Sequence, residues 1–169
     1  EGFGVIPIFL ADYPIANSQK AVEGLRDAIV AGRAEIGVQL HPWVNPPHDE
    51  EVNEFNSFAG NLPAGLERAK FRQLRDELER NFGMPPRIYR AGRYGIGPNT
   101  AANLIEGGIA IDTSVRSYFD YSSTGGANFR DHPVRPYWLD RANGLIELPL
   151  TTIYWGLLRQ AGPWLYPRM

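Results

Sequence analysis

The sequence predicts an α/β fold built on a parallel sheet, and three observations carry that reading. Short apolar runs of strand length alternate along the chain with longer stretches of helical spacing. The first strand-like run, Phe3 to Ala11, is apolar almost throughout, the pattern of a strand covered on both faces. The connections between runs are long enough to hold the helices that right-handed βαβ crossovers need.

After Phe3 to Ala11, Asn17-Ser18 offers a helix N-cap. Ala21, Val22, Leu25, Ala28 and Ile29 follow at helical spacing up to a stop at Gly32. Glu35 to His41 alternates as a strand, and a Pro-rich polar loop runs from Pro42 to about Gly60. Asn61 to Phe82 reads as a long amphipathic helix with Pro63 in its first turn. Leu66, Leu74, Leu78 and Phe82 form its buried stripe, and Gly83 ends it. Arg87 to Ala91 is a short strand, and Pro98 opens a helix closed by Gly107-Gly108. Ile109 to Val115 is a further strand, Arg116 to Asn143 a long loop, and Leu145 to Leu150 the last clear strand.

The chain has 169 residues, 43% of them hydrophobic, which is enough for a single domain spanning 1–169. A formal net charge of -2 without any run of like charges argues against nucleic acid or an anionic membrane as partner. There is no cysteine, so disulfides, thiolate metal sites and cysteine nucleophiles are excluded, though the compartment is not thereby identified. No apolar stretch approaches the roughly 20 residues of a membrane span. The chain opens at Glu1 directly into its first apolar run, with no basic-then-apolar leader. About five strands are expected, whereas a closed (β/α) barrel takes roughly 250 residues. The sheet is therefore open, or the chain is part of a barrel.

Polar residues interrupt the strands near their C-terminal ends: His41, Arg90, Asp112 and Glu147. In parallel α/β folds that edge gathers ligands, so the four are expected around one rim, flanked by the long loops. Each has a plainer reading. His41 serves equally well as a hydrogen bonder, Arg90 and Asp112 as an internal ion pair, Glu147 as a solvated strand end, and Trp43 and Tyr94 as packing aromatics. Aromatic residues beside a polar mouth are also the surfaces on which sugar rings stack. A glycosidase-like use of Asp112 and Glu147 as acid and base would need a separation of roughly 5–10 Å.

Four segments in order carry a family resemblance. Glu35-Ile-Gly-Val-Gln-Leu-His-Pro-Trp43 with Pro46-Pro47 resembles the "EIG-x-H-x-H-P-W…PP" segment of a bacterial branch of the polysaccharide deacetylase family. Tyr89-Arg-Ala-Gly-Arg-Tyr-Gly95 resembles its Arg-centred motif. Ile111-Asp-Thr-Ser-Val115 and Ile146-Glu-Leu-Pro149 resemble the strands that follow. The resemblance implies a distorted seven-stranded parallel (β/α) barrel, incomplete in this chain, that deacetylates sugars of a cell-envelope polysaccharide with a divalent metal, Zn²⁺ being the expected one.

It further implies metal ligation by His41, catalytic roles for Arg90 and Asp112, and polysaccharide contacts from Trp43, Arg93, Tyr94 and Glu147. The chain also departs from the pattern. The first histidine of the strand motif falls at Gln39, the late histidine motif has no counterpart, and the paired aspartates are expected before Glu1. Two functions follow as expectations: a metal-assisted deacetylase, or a carbohydrate-binding domain of the same fold without turnover.

Overall fold

A computed structural model describes residues 4–157 and 159–165. Phe3, expected to open the first strand, lies outside the described residues. The first strand, β1, is confined to Ile8–Ala11, because Pro7 has no N–H to give a ladder and instead accepts Glu35 N–H at 2.9 Å. A short helix α1 (Tyr13–Ala16) follows. Helix α2 (Gln19–Val30) is capped as expected, with the Ser18 hydroxyl accepting from Ala21 N–H.

Strand β2 (Glu35–Leu40) and helix α3 (Ala64–Phe82) match their sequence patterns. Pro63 is the N-cap of α3 and not part of its first turn, and Asn61 belongs to a preceding 3-10 turn. Gly83 ends α3 in the left-handed region at φ 77, donating to the Glu79 carbonyl. Strand β3 (Ile88–Ala91) is followed by helix α4, which starts at Thr100 and runs to Glu106. Strand β4 is only Ile111–Asp112, since the Asp112 side chain bends the backbone by accepting Ser114 N–H at 3.0 Å. Strand β6 (Leu145–Glu147) stops short of Leu150 because Pro149 cannot continue a ladder.

The expected loop from Arg116 to Asn143 needs correction. It contains strand β5 (Tyr137–Asp140), which pairs antiparallel with β6. It also folds on itself upstream, with an isolated bridge between Asp120 and Asn128. A final short helix, α5, covers Gly162–Leu165.

Among the described residues the sheet has six strands in the order β1-β2-β3-β4-β6-β5, all parallel except β5. It is open, with β1 and β5 as its two edges. One face is covered by helices. Ile36, Val38, Leu40, Tyr89 and Ala91 pack there with Ile29, Phe71, Leu74, Leu78, Phe82 and Leu104. Leu74, Leu78 and Phe82 are fully buried, each worth roughly 1.5–3 kcal/mol in apolar burial, so α3 is the main lid on the sheet. The opposite face is only partly covered, and a cavity of about 200 Å³ opens on it between Ile8, Leu10, Ile88, Arg90, Ile111, Thr113 and Leu148.

Candidate functional site

Strand register decides which polar side chains meet. Gln39 stands beside Arg90, Tyr89 beside Asp112, and Asp112 beside Glu147. Partners in register share a face, and neighbours along a strand oppose one another. Arg90 therefore projects to the open face, whereas Asp112 and Glu147 project with Tyr89 toward the helices. The single rim expected for His41, Arg90, Asp112 and Glu147 is thus divided between two faces.

On the helix side Asp112 is 2% exposed and Glu147 fully buried. Asp112 Oδ1 accepts from both the N–H and the hydroxyl of Ser114, and the Ser114 oxygen in turn accepts Ala91 N–H at 2.8 Å. Glu147 Oε1 accepts Val115 N–H at 3.0 Å. Its other oxygen is buried against Asp112, and two ionised carboxylates cannot share such a place. Burial, reinforced by the charge of Asp112, pushes Glu147 up to about 9. Burial also raises Asp112, to about 6, against the lowering effect of its Ser114 hydrogen bonds. The proton of the pair is therefore held on the Glu147 side at neutral pH.

The expected ion pair of Arg90 with Asp112 does not form. Arg90 Nε donates to the Thr113 carbonyl and a terminal nitrogen to the Thr113 hydroxyl, both at 3.1 Å. A guanidinium has five N–H donors, so the rest remain for a ligand on the open face. Glu147 and Asp112, expected to touch substrate, are sealed from it by the sheet and the helices.

Just beyond Arg90 the chain is strained. Arg93 and Tyr94 are consecutive non-glycine residues in the left-handed region, at φ 54 and φ 59. Each costs roughly 1–3 kcal/mol and persists only where surrounding contacts impose it. Those contacts are visible. The Arg93 guanidinium lies 4.4 Å from the Phe58 ring centre, donates to the Ser57 hydroxyl at 2.6 Å and pairs with Glu54 at 3.2 Å. Tyr94 stacks on Tyr121 at 5.7 Å. Gly60 N–H donates to the Gly95 carbonyl, and a Cβ on Gly60 would overlap the Gly97 backbone, so the two loops cross at contact distance.

His41 stands at the end of β2, a quarter exposed, with its ring stacked on Trp43 at 4.8 Å and 8°. Its ring edge fills the space where Gly92 has no Cβ. Its Nδ1 faces Asp12 Oδ2 at 3.4 Å. The sequence reading missed Asp12. The signal was Asp12-Tyr-Pro, an N-cap followed by proline, and Asp12 indeed caps α1 by accepting Ile15 N–H.

Lys70 was missed as well, being a charge inside a helical stripe. It is fully buried and donates to the Pro42 carbonyl at 3.0 Å and the Asn45 carbonyl at 2.5 Å, while pairing with Glu50 at 2.8 Å. Asn45 Nδ2 returns a bond to the Lys70 carbonyl at 3.0 Å. The loop after His41 is therefore tied to α3.

Catalytic zinc takes three protein ligands. Among the described residues no three His, Asp or Glu side chains come together in a way that could hold a metal. His41 and Asp12 supply two donors, and the neighbouring in-strand position is the neutral amide of Gln39. These residues alone do not fit a metal centre.

No family model matches the chain, and no curated protein matches it either. Solved structures similar in fold include these two. One is a "putative polysaccharide deacetylase" from Mycobacterium smegmatis, with a TM-score of 0.57 and 20% identity over 90% of this chain and 45% of that one. The other is Puue allantoinase, with a TM-score of 0.50 and 23% identity over 89% of this chain and 39% of that one. The chain spans less than half the length of either protein. At these identities the likeness is one of architecture: residues 4–157 and 159–165 build a mostly parallel α/β sheet of the kind found within both.

Proposed function

We propose that this chain supplies part of the substrate mouth of a hydrolase of the polysaccharide deacetylase type, acting on acetylated sugars of a cell-envelope polysaccharide. The observation that carries this reading is the placement of Arg90 on the open sheet face at the C-terminal end of β3, with donors to spare, directly before the strained Arg93-Tyr94 turn. The fold likeness supports it.

The residues then divide the work. Arg90, aligned by Thr113, aims fixed N–H donors at a carbonyl oxygen that gains negative charge as an acetyl group is attacked. Asp12 holds Nδ1 of His41, leaving Nε2 to exchange a proton with the sugar oxygen or nitrogen. Trp43 braces the imidazole from one side. Tyr94, with Arg93 securing the turn, presents a ring to the sugar. Asp112 and Glu147 act as positioning residues: through Ser114 and Val115 they fix the backbone on which Arg90 and the next loop stand. His41 and Asp12 fall short of a metal centre, so the metal assistance implied by the family resemblance needs further donors.

Acetate released by the full-length hydrolase from an N-acetylated or O-acetylated oligosaccharide, and lost in R90M, is the expected result. Glycan binding without acetate supports the second reading, a carbohydrate-binding domain without turnover, which Gln39 and the two-donor set favour. Neither binding nor turnover sinks both.

A further inference from the structure

Resting on that reading, we propose that the cleft beside Tyr94 receives an acidic sugar, one carrying a carboxylate, through Arg116. The cleft has a volume of about 520 Å³ and is lined by Tyr94, Arg116, Phe119, Thr151 and Thr152 among others. Its wall is fixed to the sheet, because Leu150 N–H donates to the Val115 carbonyl at 2.9 Å and so holds the threonines beside Arg116.

Arg116 is built into this cleft as a rigid cation. Its guanidinium carbon lies over Phe119, 3.5 Å from the ring centre, and 5.7 Å from the centre of Tyr94. One terminal nitrogen donates to the Tyr121 hydroxyl at 2.9 Å. Arg68, Arg72, Arg75, Arg80, Arg93 and Arg130 each have a carboxylate partner, but among the described residues none pairs with Arg116. A guanidinium keeps its charge at any physiological pH, and aromatic contact orders it without neutralising it. Its planar fork matches a carboxylate.

The rest of the lining suits a sugar. Thr151 and Thr152 bring hydroxyls for ring hydroxyls, and Tyr94 and Phe119 bring apolar ring surface. Tyr94 belongs to the turn after Arg90, so the cleft adjoins the proposed mouth. The inferred ligand is a uronic-acid unit of the glycan, recognised next to the acetylated one.

The test measures binding of the full chain to three trimers: galacturonate, its neutral methyl ester and N-acetylglucosamine. Free acid should bind at least about tenfold tighter than ester at low salt, roughly 1.4 kcal/mol. R116Q should bring that ratio to about one, and R116K should keep part of it. Wild-type preference should also fade at high salt, a result that does not depend on any variant folding. Equal binding of acid and ester, or a preference that survives R116Q, overturns the inference. Binding of the N-acetylglucosamine trimer alone overturns it too and leaves the sugar mouth standing, whereas binding of none defeats both.

Discussion

The two faces of this sheet carry polar residues at the same strand ends and put them to opposite uses. Toward the helices, Asp112 and Glu147 are closed off, and burial raises both. Toward the open side, Arg90 sits one residue further along β3 than Tyr89, the neighbour of Asp112, and keeps donors for a ligand. A one-residue difference along a pleated strand thus separates a structural carboxyl pair from a candidate substrate contact. Burial decides which ionisable groups stay reachable, and the partner at hand decides which buried ones stay charged.

The comparison breaks first at Lys70, on the helix side. Lys70→Ala leaves Glu50 buried without its cation and should cost about 3–5 kcal/mol, measured by denaturant unfolding. An undisturbed midpoint would mean that this side does not carry the stability. Arg90→Met, on the open side, should reverse the pattern. Its melting temperature should barely move, while acetate release falls about a hundredfold. Loss of both together would show Arg90 to be structural.

A smaller effect separates the faces by pH. Both buried carboxyls have folded-state pKa values above those of the unfolded chain, near 6 for Asp112 and near 9 for Glu147. Their contribution is complete below roughly pH 4, where unfolded carboxyls also hold their protons. It is lost as pH rises through about 6 and then about 9. Glu147→Gln should flatten the upper part of that decline in a thermal-melt series from acid to alkaline pH. An unchanged slope would show that Glu147 is not the proton holder. Smallest is Glu54→Gln. Its pair with Arg93 is exposed, so stability should change by about 0.5 kcal/mol or less by chemical denaturation. A larger loss would mean that this pair, and not Phe58 and Ser57, holds the strained turn.

Much of this arrangement was legible from residue spacing. Alternation in Glu35–Leu40, the Ser18 cap and the Gly83 stop identified β2, α2 and α3 because each is a local signal. Within each strand the same alternation put Arg90 with Ile88 and Asp112 opposite Ile111. It did not say which residue of β3 stands beside Asp112, since register is set by pairing between strands. Strand β5 escaped notice because it is four residues long, half exposed and lies between Pro136 and an Asn-Gly turn. Asp12 and Lys70 were hidden for a related reason: their partners, His41 and Glu50, lie far along the chain, and only folding brings them together.

The outer margin of β1 has a consequence of its own. Among the described strands it pairs only with β2, and Val5, Ile6, Ile8 and Phe9 stand exposed along and beside it. A row of unsatisfied amides framed by greasy side chains is a template for any passing extended peptide, including a second molecule of the same kind. That margin is the part of the sheet on which a further extended segment would pair.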